Sequence, residues 1–106
     1  MSVDDSIQTL KQIDFKEINS NCSKNNLNLR VDDYAQKKFN TSLRTAYLLV
    51  TQPIGLAVQR QTKLETIQAI KDVKKVIDSL YLVTKDQKYK EHLDQMNEII
   101  SHSKLK

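Results

Sequence analysis

Residues 62–84 read TKLETIQAIKDVKKVIDSLYLVT. Within them Leu64, Ile67, Ile70, Val73, Ile77 and Leu80 recur at steps of three and four, and Val76, Tyr81 and Val83 broaden the same stripe. That period gathers apolar groups on one face of a helix, whereas a strand would alternate them between two faces. Thr62 followed by Glu65 has the form of a capping box, in which a hydroxyl and a carboxylate satisfy the free amides of a first turn. A long helix starting at Thr62 is therefore expected. It has no glycine or proline to interrupt it.

The same period extends to either side. Asp86 and Gln87 predict a tight turn, with Asp86 capping a last helix along which Tyr89, Leu93, Met96, Ile99 and Ile100 recur. Residues 101–106 are expected to fray. Upstream, Val31, Ala35, Phe39, Leu43, Ala46, Tyr47 and Val50 mark a second helix beginning near Val31, with Asp32 and Asp33 in its first turn. Pro53 lacks an amide donor and disfavours helical geometry in the residue before it. This helix therefore either stops near Thr51 or kinks and continues through Ile54, Leu56 and Val58. Ser2 and Asp5 predict the start of a first helix, whose stripe runs through Val3, Ile7, Leu10, Ile13 or Asp14, and Ile18. The polar run at about residues 19–28 competes for backbone hydrogen bonds and is expected to be a loop.

The chain has 106 residues, the length of one domain, with a single glycine (Gly55) and a single proline (Pro53). Sheet folds need many turns at positive φ, which glycine supplies. The expected architecture is all-α: one up-down antiparallel four-helix bundle spanning residues 1–106.

The composition narrows the function classes. One glycine leaves no phosphate loop and no dinucleotide fingerprint. Cys22 has no histidine nearby in sequence and lies in the expected polar loop, so no catalytic residue is assigned and an enzyme is not expected. Glu98 and His102 are four residues apart on one helical face, but a metal needs three or four ligands, so neither a metal nor a cofactor is expected. The adjacent pairs Asp4-Asp5 and Asp32-Asp33 fall in first turns, where carboxylates answer the helix dipole. A single cysteine and no apolar leader after Met1 suit an intracellular, reducing setting, cytoplasmic or nuclear. The longest uncharged run, Thr45 to Gln59, has 15 residues, fewer than the roughly 20 needed to span a membrane.

The net charge of +4 is unevenly spread. Residues 1–33 carry −2, residues 34–75 carry +6, and residues 76–106 balance. Lys71, Lys74 and Lys75 are helical neighbours, while Lys37, Thr41 and Arg44 line a polar face of the preceding helix. If these helices pack antiparallel, their outer faces are expected to merge into one basic surface. Arg44, Arg60, Lys63, Lys71, Lys74 and Lys75 are its candidate nucleic-acid contacts, for DNA or RNA held by the backbone. No aromatic residue interleaves with these lysines, so base stacking is not expected. The alternative is a protein-interaction module. The Ala46–Val58 segment is apolar around most of its circumference, and Tyr47, Leu49, Ile54, Leu56 and Val58 are candidates for a contact with a second copy or another protein.

Lys63-Leu64, the run from Leu80 to Asp86, Tyr89, and Met96-Asn97-Glu98-Ile99 together resemble the third and fourth helices of a group of small four-helix-bundle proteins. The group comprises the accessory variability protein of diversity-generating retroelements and the proteins encoded in ribosomal-RNA intervening sequences. The resemblance covers the C-terminal half. It implies a basic helical bundle that assembles as a ring-shaped homo-oligomer and binds nucleic acid, and in the retroelement members a reverse transcriptase.

Overall fold

The computed structural model describes residues 2–52 and 58–105. Among them are five α-helices: α1 (Val3–Leu10), α2 (Phe15–Lys24), α3 (Asp33–Thr51), α4 (Arg60–Thr84) and α5 (Gln87–Ile100), followed by a short 3-10 helix at Ser103–Leu105. The all-helical expectation holds. The first helix, however, is two.

Its division is set by Asp14. Ser2 starts α1 as expected, its hydroxyl accepting from the Asp5 amide at 3.1 Å. The helix then tightens: Gln12 N–H donates to Thr9 and Ile13 N–H to Leu10. Asp14 turns extended and its carboxylate accepts from the amides of Lys16 and Glu17, at 3.0 and 3.3 Å. A side chain that satisfies the free amides of a new helix ends the old one.

The polar run expected to be a loop is largely helical, since α2 continues to Lys24. Its asparagines have found partners elsewhere. Asn19 accepts from Val31 N–H at 2.7 Å and donates to Val31 C=O at 2.9 Å, and Asn21 donates to the Tyr89 hydroxyl at 2.6 Å. Cys22, placed by the sequence in that loop, is instead 1% exposed on the inner face of α2. The helix ends with Asn26 at φ 58°, while Leu27 N–H reaches Cys22 C=O at 2.9 Å and Asn26 N–H reaches Ser23 C=O at 3.1 Å. This is a Schellman termination with asparagine in the position that glycine usually holds.

Asp32 caps α3 through the Ala35 amide at 2.8 Å, and the helix stops at Thr51 with Gln52 extended. The kink at Pro53 lies outside the described residues. Helix α4 begins two residues before Thr62. The expected capping box is not formed: Gln59 precedes the helix without a side-chain cap, and Glu65 accepts from Gln61 Nε2 at 3.2 Å. Lys85, at φ 54°, ends α4, and Asp86 caps α5 as expected. The expected frayed tail is also corrected, because Leu105 is 1% exposed and the 3-10 helix packs on α3 and α4.

Helix α3 packs on α4, α4 packs on α5, and α1 packs on α5 and α3. The buried side chains form one cluster that includes Ile7, Phe15, Phe39, Leu43, Ile70, Ile77, Tyr89 and Met96. Phe15 meets Phe39 edge to face, with ring centroids 5.7 Å apart. The molecule is elongated, 46 × 27 × 19 Å. No helix among the described residues is long and apolar enough to cross a membrane.

Candidate functional site

Helix α4 buries Thr66, Ala69, Ile70, Val73, Ile77 and Leu80. At about 100° per residue, Arg60, Lys63, Lys71, Lys74 and Lys75 fall within one sector of about 120°, with Lys63 and Lys74 at the edge of the buried face and the others turned away from it. Arg60, Lys71 and Lys75 are exposed, while Lys63 and Lys74 lay part of their stems on the protein. The stripe runs about 22 Å from Arg60 to Lys75 at 1.5 Å per residue. Lys71, Lys74 and Lys75 flank a shallow cavity of about 340 Å³ that they share with Asp78 and with Asn97 and Ile100 of α5. Arg60 and Lys63 border a second cavity of about 470 Å³, floored by Val58, Leu64, Ile67 and Leu105.

Among the described residues these five cations have no ion-pair partner. The ion pairs present are on other surfaces: Lys88 with Glu17, across α5 and α2, and Lys90 with Asp94 at 2.6 Å within α5. Those contacts hold the Lys88 and Lys90 ammonium groups above the usual lysine pKa, chiefly through their hydrogen bonds to Glu17 and Asp94. The α4 stripe thus presents positive charge that no carboxylate answers, apart from the nearby Asp78.

Carboxylates stand between the two basic faces expected to merge. The flank of α4 turned toward α3 carries Glu65 and Asp72, held by Gln61 Nε2 at 3.2 Å and Gln68 Nε2 at 2.8 Å. Lys37 and Lys38 of α3 face this flank across a groove that contains Glu65. Arg44 is exposed on α3 and does not line that groove. Helices α3 and α4 pack together, and the side of α4 at their junction carries Glu65.

The apolar interface predicted around Ala46–Val58 also changes. Ala46 and Leu49 are 0% and 5% exposed and belong to the core, which removes Leu49 from any contact surface. Tyr47 is half-buried with the Lys11 ammonium 5.0 Å from its ring centroid, and Val58 is half-buried. Ile54 and Leu56 lie outside the described residues. Among the described residues the exposed large apolar side chains are Tyr34, Leu48, Leu64, Leu82 and Val83, spread over α3 and α4.

Burial pushes the Cys22 thiol above its ordinary pKa, which disfavours the thiolate that nucleophilic chemistry uses. His92 Nδ1 lies 3.3 Å from Gln95 Oε1, and His102 Nδ1 accepts from the Lys104 amide at 3.3 Å. Among the described residues no three His, Cys, Asp or Glu side chains are grouped to hold a metal.

One side chain that the sequence pattern passed over is prominent. Tyr34 is 68% exposed at the start of α3, with the Lys38 ammonium 5.0 Å from its ring centroid. The signal was its position off the Val31–Ala35–Phe39 stripe and four residues before a lysine, the spacing that places two side chains together on a helix. No family model, curated protein or solved structure matches the chain.

Proposed function

We propose that this chain is a non-enzymatic helical-bundle protein that binds nucleic acid by its phosphate backbone. In this proposal α1 and α2 are two halves of one limb, so the chain folds up and down as four limbs with α4 outermost on the binding side. The observation that carries it is the α4 stripe: Arg60, Lys63, Lys71, Lys74 and Lys75 aligned over about 22 Å with no ion-pair partner among the described residues. Phosphates on each strand of a duplex recur about every 3.4 Å of axis while winding around it, so this length spans roughly six base pairs and meets the phosphates its side chains can reach. A straight helix carrying lysines on flexible stems matches a repeating anion without selecting bases. Arg44, exposed on α3, is left out of this surface because it is not on α4. The resemblance of residues 63–99 to helical bundles of retroelements and intervening sequences supports the same reading.

Neutralising a phosphate releases counterions, so the logarithm of affinity falls with log salt by about 0.9 per contact on duplex DNA. With five contacts the slope for a short duplex approaches about −4.5. The triple variant Lys71→Gln, Lys74→Gln, Lys75→Gln should flatten it by about 2.7 while leaving the fold intact, because these side chains lie at the surface. Fluorescence anisotropy across a salt series reads the slope. A triple variant with the wild-type slope would remove the proposal.

A protein partner is the second reading, favoured by Leu82 and Val83, which are 62% and 49% exposed side by side at the end of α4. It predicts a contact that survives high salt. A homo-oligomer would be one form of it, detected by light scattering at increasing concentration.

A further inference from the structure

The groove between α3 and α4 is a separate feature from the stripe. It has a volume of about 270 Å³ and opens beside Tyr34. Lys37 and Lys38 stand at one side of it, Glu65 at the other, and Thr41, Thr45 and Thr62 add hydroxyls between them. Three chemistries thus meet in one place: a flat exposed ring, two cations, and a row of neutral donors and acceptors ending in a carboxylate.

Each has a natural counterpart in a nucleotide. An exposed aromatic ring is a stacking surface for a base, since every base offers a π-face. Lysine ammonium groups meet phosphate. Hydroxyls and a carboxylate can accept from sugar hydroxyls and from base N–H groups, and Thr45, whose O–H is donated to Thr41 C=O at 3.2 Å, serves only as an acceptor. Tyr34 has a free side, because the Lys38 ammonium approaches only one part of a ring that is 68% exposed. The Tyr34 side chain beside it, with Glu65 and Asp72 adding to the effect, holds the Lys38 ammonium above the usual lysine pKa. The size is selective as well. At about 270 Å³ the groove lies just under the roughly 300 Å³ at which small-molecule sites begin, so it holds part of one monomer unit and not a double helix. A base already paired and stacked in a duplex cannot reach the ring.

We propose that the α3–α4 groove takes one unpaired nucleotide of a single strand, its base stacked on Tyr34 and its phosphate against Lys37 and Lys38. This rests on the reading of the protein as a nucleic-acid binder, but it uses a different surface from the α4 stripe and adds a preference the stripe lacks. The stripe grips phosphates of any strand. The groove distinguishes an unpaired base from a paired one.

The test compares Tyr34→Ala and Tyr34→Phe on a short single-stranded pyrimidine oligonucleotide and on a duplex of matched length, both at low salt. Tyr34 is exposed, so its truncation leaves the core untouched, and a circular-dichroism spectrum matching wild type confirms the fold. Tyr34→Ala should weaken single-strand binding about tenfold, the effect of losing one stacked base, and leave duplex binding unchanged. Tyr34→Phe should retain wild-type affinity for both. The inference is overturned if Tyr34→Ala binds the single strand as wild type does, if it weakens both ligands equally, or if the wild type binds no single strand. The triple lysine variant separates the two proposals. A flattened duplex salt slope together with a silent Tyr34→Ala leaves the stripe standing and removes the groove. An unchanged slope with a Tyr34-dependent loss on the single strand does the reverse.

Discussion

Asn19 shows how one side chain can replace a glycine-rich turn. Its amide closes a twelve-residue separation by accepting from Val31 N–H and donating to Val31 C=O. Val31 is 1% exposed, so its N–H has no access to water if that acceptor is removed. An unsatisfied buried donor costs roughly 1–3 kcal/mol. Asn19→Ala is therefore expected to destabilise the protein by about 2 kcal/mol in urea unfolding. Asn19→Asp should recover most of this, because it keeps the acceptor, and Val31 C=O still receives Gln36 Nε2 at 2.9 Å. Equal losses in the two variants would show that the N–H is not the critical group. Neither pairing was legible in the sequence. The asparagines there signal loop only when their side chains turn back on their own backbone, and here Asn19 and Asn21 are engaged by Val31 and Tyr89.

For single helices, boundaries followed capping chemistry more closely than apolar period. The stripe through Ile7, Leu10 and Ile18 passes unbroken across Asp14, which is why the sequence suggested one helix where there are two. The period was continued by the core, while the backbone was reset by one carboxylate. Asp86 and Asp32 were readable because each stands just ahead of a stripe with nothing competing. Thr62 misled for the opposite reason: the helix had already begun, and its carbonyl accepts from Thr66 Oγ1 at 2.8 Å as in any helix interior. Gln59, which does precede α4, offers no acceptor to the first turn. Gln59→Ser should supply one and raise stability by about 0.5–1 kcal/mol, seen as a higher thermal midpoint, whereas Gln59→Ala should be close to neutral. A Gln59→Ser midpoint equal to that of Gln59→Ala would mean that the first-turn amides of α4 are already satisfied by solvent.

The fold class was legible because it depends on composition and period, which local errors do not disturb. The candidate surface was legible only in part. Lys71, Lys74 and Lys75 cluster in sequence and in space, but the side of α4 that meets α3 is fixed by packing, and that packing turned Glu65 and Asp72 toward the lysines of α3. The tail is a packing outcome too. Leu105 lies beyond the last periodic residue, so no stripe announced it, yet it is 1% exposed and contributes to the cluster on α3 and α4. Truncating a buried leucine to alanine costs about 2–5 kcal/mol. Leu105→Ala should accordingly lower the urea midpoint by a large fraction of the total stability, and a midpoint within experimental error of wild type would show that the tail is dispensable.

A chain of this length folded into a sphere-like domain would have a radius of gyration near about 13 Å, whereas this one has 13.9 Å and an axis of 46 Å against 19 Å. A rod of these proportions drags more solvent than a ball of equal mass. It will leave a sizing column slightly ahead of a 12.3 kDa globular standard. The excess radius is under about a tenth, so a single copy shifts only slightly and a dimer of twice the mass stays distinguishable from it.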